Sequence, residues 1–321
     1  MLRRVKMAYL FVHFKEKRTP NGEQVYFGIS QDGFHWEQVN EGKPVLWSYV
    51  GEKGVRDMTI VKTKEDKYVI LATDLSLAYG MPYEYQESWQ KIKENGSSYL
   101  VKWESEDLIN WTRSELVEVG NPELGCCWAP DIIYDREKED YIVHWSSPKK
   151  EDDYQQMAIY YTRTKDFKTF TKAKVLYQKE DGSVIDSAIY EENGWYYLFV
   201  KSDYNPSTIL LLKSKNIIGP YERVELFDEK MQGIEQGLYE AATAVQLPDN
   251  KWYLFLDYYG AKSADGHGYV PFVSDTLASG DFERCELDFS FPYGFKHGTI
   301  IKITDDEMLR LQQLKKSADQ F

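Results

Sequence analysis

The segment Ser105–Trp111, which reads SEDLINW, indicates the fold because variants of it recur along the chain. In each copy, Ser or Thr leads into a polar residue, Asp or Asn, a short turn and an aromatic residue. Asp and Asn side chains hydrogen-bond to the nearby backbone, so each copy predicts a hairpin turn. The five copies are SQDGFHW from Ser30, SEDLINW from Ser105, TKDFKTF from Thr164, SKNIIGPY from Ser214 and, more loosely, SDTLASGDF from Ser274.

Strand-like segments lie upstream of these turns. An aromatic-rich segment precedes every copy, and a further strand-like segment precedes four of them. The aromatic segments read AYLFVHF, KYVILATD, DYIVHWSS, WYYLFVKSD and WYLFLDYY. Successive strands joined by tight turns describe a four-stranded antiparallel blade. Five such repeats predict an all-β fold, a five-bladed β-propeller.

The two ends of the chain complement each other. The first repeat lacks its opening strand, whereas an unpartnered strand, GTIIKIT, follows His297. We therefore expect the C-terminal strand to join the N-terminal blade as its innermost strand and to close the ring. Met308, Leu311 and Leu314 recur every three residues and predict a short helix after it. No Pro/Gly/Ser-rich linker interrupts the chain, so residues 1–321 are interpreted as a single domain.

The amino-acid composition limits which partners the protein is expected to bind and indicates its cellular compartment. The formal net charge of −13 argues against nucleic acid and anionic membranes, because both bind basic surfaces. No apolar run approaches the roughly 20 residues that cross a bilayer. The apolar stretch Ala8–Phe14 is too short for a signal peptide, so a cytoplasmic location is expected. Three cysteines form neither a disulfide framework nor a zinc pattern, and the sequence leaves the oligomeric state open.

A polar residue stands before the innermost strand of each repeat. These residues are Asp57, Asp131, Asp186, Glu240 and His297, at spacings of 74, 55, 54 and 57 residues. The innermost strands of a propeller surround its central channel, so equivalent positions converge at one mouth. Carboxylates confined to one site repel one another, so grouping them costs free energy. Such a group therefore indicates a use such as proton transfer or cation binding. A single such residue is more often a turn cap, but the set in register favours a functional site.

The phrase Trp128-Ala129-Pro130-Asp131, followed by IIYD, resembles the WAPD signature of glycoside hydrolase family 43, and the resemblance spans nearly the whole chain. It implies a five-bladed propeller in which Asp57 is the catalytic base, Glu240 the acid and Asp186 a carboxylate that tunes the acid. It also implies an oligosaccharide substrate and no cofactor for the chemistry. A cation such as calcium, held partly by His297 before Gly298, is implied at the propeller centre.

Three neighbours of these residues depart from the family pattern. Met58 and Ser187 follow their aspartates where the family usually has Pro, and Ala241 follows Glu240 where it usually has Gly. Such neighbours shape the backbone and not the proton chemistry. The reaction class therefore stands, while the substrate subgroup is left open.

The resemblance implies hydrolysis with inversion. An inverting enzyme separates its base and acid by roughly 6.5–9.5 Å to admit a water molecule. Glu240 needs a raised pKa to hold its proton, and an ionised Asp186 nearby would raise it. Glu235 is a rival acid. The candidate substrate-binding residues are Trp128, Asp131, Trp145, His13 and His267, each with a structural role as the alternative.

The substrates implied by the resemblance are arabinofuranosides, xylosides, arabinan and some galactosyl or galactofuranosyl linkages. We expect exo cleavage of short oligosaccharides, with arabinofuranosidase ahead of xylosidase. Arg56-Asp57 faintly echoes a propeller group that acts on fructosides with retention, but the opening nucleophile motif of that group does not precede Asp57. A non-catalytic carbohydrate-binding propeller is the other alternative, although all three carboxylate positions are filled.

Overall fold

The computed structural model describes residues 7–15, 17–234, 238–260, 268–292 and 294–315. These residues form five antiparallel sheets of four strands each, which confirms the predicted five-bladed propeller. The inner strands of successive blades contact one another around the ring. No helix in the described ranges is long and apolar enough to cross a membrane.

The strands follow the order of the blades. Blade 1 contains β1 (Met7–Phe14), β2 (Tyr26–Ser30) and β3 (Glu37–Gln38). Blade 2 contains β4 (Val55–Lys62), β5 (Tyr68–Asp74), β6 (Tyr99–Ser105) and β7 (Glu115–Glu118). Blade 3 contains β8 (Trp128–Asp135), β9 (Asp140–Pro148), β10 (Met157–Thr164) and β11 (Lys174–Tyr177). Blade 4 contains β12 (Val184–Glu192), β13 (Trp195–Ser202), β14 (Thr208–Ser214) and β15 (Glu222–Arg223). Blade 5 contains β16 (Tyr239–Gln246), β17 (Trp252–Tyr258), β18 (Gly268–Ser274) and β19 (Glu283–Arg284), and the final strand is β20 (Lys296–Thr304).

The final strand closes the ring as expected. Strand β20 lies beside β1, so blade 1 has the order β20-β1-β2-β3. The two strands pair antiparallel, with Leu10 opposite Ile301 and Ala8 opposite Ile303. The buried side chains of Leu10 and Ile303 join the hydrophobic core between blades 1 and 2. The first blade is therefore completed by residues that lie nearly 300 positions later in the chain.

The recurring turn phrase connects the two outer strands of each blade. In the blade 2 copy, Asp107 Oδ1 accepts hydrogen bonds from the amides of Ile109 (2.9 Å) and Asn110 (2.7 Å). Asp166 makes the same pair of bonds in blade 3, to Lys168 (2.9 Å) and Thr169 (2.8 Å). The local hydrogen bonding predicted for the repeated Asp is confirmed in both copies.

In the described part of the chain, three α-helices accompany the sheets: α1 (Trp89–Asn95), α2 (Glu225–Gln232) and α3 (Asp305–Gln312). Helix α3 confirms the helix predicted after the last strand. It begins at a capping box in which Thr304 and Glu307 satisfy each other's backbone amides. The sequence did not predict α1, which begins after the cap residue Ser88 in the long connection between β5 and β6.

Candidate active site

A β-bulge interrupts the innermost strand of every blade near the channel mouth. In each blade the pairing with the next strand shifts by one residue, for example between Arg56 and Thr59 in β4. A bulge re-aims the side chains around it and is common beside active sites. The inner strands therefore present side chains in tiers set by the bulge.

We name three tiers by their position relative to the bulge. The first tier precedes it and contains Arg56, Trp128, Ile185, Glu240 and Lys296. The second tier follows directly and contains Asp57, Ala129, Asp186, Ala241 and His297. The third tier lies two residues further on and contains Thr59, Asp131, Ala188, Thr243 and Thr299. The expected common register is thus corrected: Glu240 lies one residue before the bulge position, and Asp131 lies two residues after it.

The second-tier backbone is held by side chains of the neighbouring blade. Asp57 and Asp186 have φ angles of 52° and 55°, in the left-handed region that non-glycine residues seldom adopt. The Asp186 amide donates to Ser146 Oγ (3.1 Å), and the His297 amide donates to Asp257 Oδ2 (3.2 Å). Because each bond crosses from one blade to the next, the ring itself fixes the bulges.

The first and second tiers surround a cavity of about 400 Å³. Three carboxylates, a histidine, two further cations and an aromatic wall meet there. The lining residues are Arg56, Asp57, Leu75, Trp89, Trp128, Ile185, Asp186, Glu240, Tyr259, Lys296 and His297. The structure thus brings together Asp57, Asp186 and Glu240, the three predicted catalytic carboxylates, in one space.

Asp57 forms an ion pair with His297. The distance from Asp57 Oδ1 to His297 Nδ1 is 3.1 Å, and Thr73 Oγ1 donates to Asp57 Oδ2 at 3.0 Å. Burial disfavours ionisation of Asp57, but the facing His297, together with Arg56 and Thr73, outweighs it and lowers the pKa of the carboxyl. Burial likewise opposes the imidazolium, yet Asp57 and Asp186 raise the pKa of His297 to about 9. Asp57 is therefore ionised near neutral pH, as a base must be.

Glu240 lies between two lysines. Its carboxylate is 3.2 Å from Lys296 Nζ and 3.5 Å from Lys201 Nζ. Burial favours the neutral acid, but the two ammonium groups outweigh it, so the pKa of Glu240 is lowered. Burial raises the pKa of Asp186 to about 6, and the nearby Glu240 adds to that rise. The expectation that an ionised Asp186 raises the pKa of Glu240 is therefore wrong: the pKa of Glu240 is lowered, and Asp186 holds the proton more readily.

The predicted substrate-binding residues lie in different environments. Trp128 lines the cavity and meets Trp89 edge-on, with ring centroids 5.9 Å apart. Trp145 and His13 are buried at 0% and 1% exposure, so their expected direct contact with substrate is wrong. Asp131 lies in the third tier, below the cavity. His267 and the rival acid Glu235 lie outside the described residues.

Sequence reasoning missed several residues of the cavity. Arg56 stands beside Asp57 and is bound by the buried Glu23, whose Oε1 lies 3.1 Å from Arg56 Nη1. Lys296 stands beside His297 in the same way. Both directly precede a predicted site residue, so allowing for a bulge at that residue would have found them. Trp89 carried no such signal, because it comes from the β5–β6 connection and not from a repeated strand.

His297, the expected metal ligand, is held by Asp57 in this arrangement. Its Nδ1 is engaged by Asp57, and a protonated imidazole has no lone pair for a metal. The ammonium of Lys296, on the adjacent residue, adds a further positive charge at the cavity. Within the described ranges, no three His, Cys, Asp or Glu side chains are grouped so as to hold a metal ion.

Comparisons with known proteins identify the family and the fold of the chain. The profile of a family described as "Probable glycosyl hydrolase domain" matches residues 5–308. An alpha-L-arabinofuranosidase of Bifidobacterium longum subsp. longum is 29% identical over 217 residues, which is 61% of this chain. The chain spans only about a fifth of that relative's length, 20%.

Two solved structures share the fold at low sequence identity. A family-43 β-1,3-galactosidase with galactodeoxynojirimycin aligns with a TM-score of 0.58 at 13% identity, covering 90% of this chain and 93% of that one. An exo-1,5-alpha-L-arabinanase from a bovine ruminal metagenomic library aligns with a TM-score of 0.56 at 16% identity, covering 85% and 91%. At these identities the likeness establishes the propeller fold.

Proposed function

This chain belongs to the family of probable glycosyl hydrolase domains, and from that premise we propose that it removes terminal arabinofuranosyl groups from oligosaccharides with inversion. One observation carries the proposal: Asp57, Asp186 and Glu240 converge on a single cavity that also has a tryptophan wall. The name of the arabinofuranosidase relative supports the choice of sugar.

In the proposed reaction, the ionised Asp57 removes a proton from a water molecule as that water attacks the anomeric carbon. Asp57 and Glu240 come from blades 2 and 5, which are not neighbours in the ring. Acid and base on separated blades leave room for sugar and water between them, as inversion requires. Asp186 and Glu240 together hold one proton, and Glu240 delivers it to the leaving oxygen. The indoles of Trp128 and Trp89 provide apolar faces for the sugar ring.

Release of p-nitrophenol from arabinofuranoside, xyloside, galactoside and galactofuranoside substrates tests this function. We expect the arabinofuranoside to be cleaved, and Asp57→Ala and Glu240→Ala each to lower the rate by about 10² or more, because each removes one proton-transfer group. Glu118→Ala, exposed on the outermost strand β7, is the matched control and keeps wild-type activity. Proton NMR of the first product gives the anomer and hence the stereochemistry.

Each alternative gives a distinct result in the same assay. Preference for a galactoside or galactofuranoside would replace the proposed sugar and keep the mechanism. Activity that survives both carboxylate substitutions would refute the mechanism. A panel with no cleavage, together with measurable oligosaccharide binding, would identify a carbohydrate-binding propeller instead.

Two finer points remain proposals. A calcium ion or other cation at His297 would require that residue to lose its proton first. Metal content before and after dialysis against EDTA, with activity measured in parallel, tests for it. The cytoplasmic location expected from the sequence is tested by cell fractionation.

A further inference from the structure

A buried polar cluster lies directly below the cavity, centred on the third-tier residue Asp131. Its Oδ1 accepts hydrogen bonds from Thr59 Oγ1 of blade 2 (2.7 Å) and from the amide of Ile132 (2.8 Å). The amide of Ile189, on blade 4, also faces this carboxyl and stabilises its charged form. Asp131 is thus hydrogen-bonded to blade 2 and faces blade 4.

His144, on strand β9, stands between Asp131 and Ser187. Its ring is fully buried, with Nδ1 2.7 Å from Ser187 Oγ and Nε2 3.9 Å from Asp131 Oδ2. Burial lowers the pKa of His144 to about 3, so the ring is neutral and carries a single N–H. With that proton on Nε2, it faces the Asp131 carboxyl, while the Ser187 hydroxyl donates to Nδ1. In this tautomer the Ser187 proton is satisfied, whereas Asp131 Oδ2 lies beyond hydrogen-bond distance and His144 Nε2 has no hydrogen-bond partner among the described residues.

Ser187 directly follows Asp186, the carboxylate that lines the cavity. The backbone of Asp186 is in the left-handed region, so contacts around it must hold it there. Strand β9 supplies two of these contacts: Ser146 accepts the Asp186 amide, and His144 bonds the next side chain. Residues two apart on a strand face the same way, so His144 and Ser146 hold residues 186–187 as a pair.

We propose that Ser187 and His144 are positioning residues that fix the carboxyl of Asp186 in the cavity. The hydrogen bond between Ser187 and His144 restrains the residue that follows the left-handed Asp186. The inference rests on the proposed function, in which Asp186 shares the catalytic proton.

The first test measures kcat and KM for Ser187→Ala, His144→Phe and the double variant on the substrate that the wild type cleaves. Each single change is expected to lower kcat about tenfold, with KM within twofold, because Asp186 loses its orientation. The double variant is expected to match the singles, since both changes break the same chain. Ser187→Thr keeps the hydroxyl and is expected to restore kcat. Ser147→Ala, which removes an equally buried hydroxyl bonded to the Cys126 carbonyl (2.7 Å), is the matched control and keeps wild-type kcat.

The second test needs no activity. Carbon-13 NMR of the Asp186 carboxyl, assigned with Asp186→Asn, gives its titration midpoint. The charged groups facing Asp186 are His297, Glu240, Asp57 and Lys201, and Ser187→Ala alters none of them. Loosening the backbone gives the carboxyl access to water, so the midpoint is expected to fall toward that of an ordinary aspartate. Ser147→Ala is expected to leave it unchanged.

The two tests separate this inference from the proposed function. If the wild type cleaves no glycoside, the proposed function fails, and the NMR midpoint alone decides the present proposal. An unchanged midpoint in Ser187→Ala overturns it. A kcat within twofold of wild type, additive losses in the double variant, or an equal loss in Ser147→Ala also overturns it. If His144→Phe does not fold, Ser187→Ala and Ser187→Thr carry the comparison.

Discussion

At the scale of single residues, the proposed mechanism depends on how one proton is shared between Asp186 and Glu240. Two lysines stabilise the charged form of Glu240, whereas burial stabilises the neutral form of Asp186. When two acidic groups interact this closely, their titration belongs to the pair and not to either residue. Glu240, the proposed acid, therefore depends on Asp186 to hold the proton that it delivers.

This sharing predicts an acidic pH optimum. The proposed reaction needs an ionised Asp57, whose pKa is lowered, and a proton on the pair, whose upper pKa follows Asp186 at about 6. We expect kcat/KM to fall as the pH rises through about 6, because the pair then loses its proton. In Asp186→Asn the falling limb belongs to Glu240 alone and moves to lower pH. A pH–rate profile checks both statements, and a limb that moves upward in Asp186→Asn would contradict them.

At the scale of secondary-structure elements, periodicity predicted the strands but not their irregularities. The turn phrase and the aromatic strands predicted the blades because they repeat along the chain. A bulge is set by contacts with the neighbouring blade, such as the bond from Asp186 to Ser146, and no local pattern marks it. For that reason the sequence correctly predicted that the three carboxylates lie together, but the positions predicted for Glu240 and Asp131 were in the wrong tiers.

Helices α1 and α2 were also not predicted from periodicity, and α1 carries Trp89 to the cavity wall. Its position is fixed by tertiary contacts: Gln90 Nε2 donates to the Asp153 carbonyl (3.2 Å), and the Cys126 amide donates to the Lys93 carbonyl (3.0 Å). The Trp89 side chain is nonetheless 47% exposed. A large apolar surface held rigidly at a cavity is suited to stacking on a sugar ring.

We therefore expect Trp89→Ala to raise KM about 3- to 10-fold, the loss of one aromatic stacking contact, with kcat within twofold. Steady-state kinetics on an oligosaccharide measures this. Tyr83→Ala is the matched control, because Tyr83 lies in the same connection, is 79% exposed and is not among the residues that line the cavity. An equal effect of both substitutions would show that the contribution of Trp89 is not specific.

At the scale of the whole molecule, the pairing of β20 with β1 joins the ends of the propeller. Lys296 and His297 lie at the start of β20, so the same strand that closes the ring completes the cavity. Stability and function are linked through this single strand.

Ile303→Ala is expected to lower the free energy of unfolding by about 2–5 kcal/mol, because it leaves a void in the core between blades 1 and 2. Urea denaturation, followed by tryptophan fluorescence, gives the change. Leu309→Ala, at a side chain that is 54% exposed on α3, is the control and should change it by about 0.5 kcal/mol or less. A loss of similar size in both variants would contradict a closing role for β20.

Because β20 completes blade 1, the ring can close only after β20 has been synthesised on the ribosome. Strands β1 to β3 emerge first, but the inner edge of their blade stays unpaired until β20 has been translated. Blades 2 to 5 contain all of their own strands, so each can assemble as it leaves the exit tunnel. A nascent chain that stalls before residue 296 lacks the partner of Asp57 as well as the last strand. Incomplete translation products are therefore expected to be inactive, and their exposed β1 edge makes them candidates for chaperone binding.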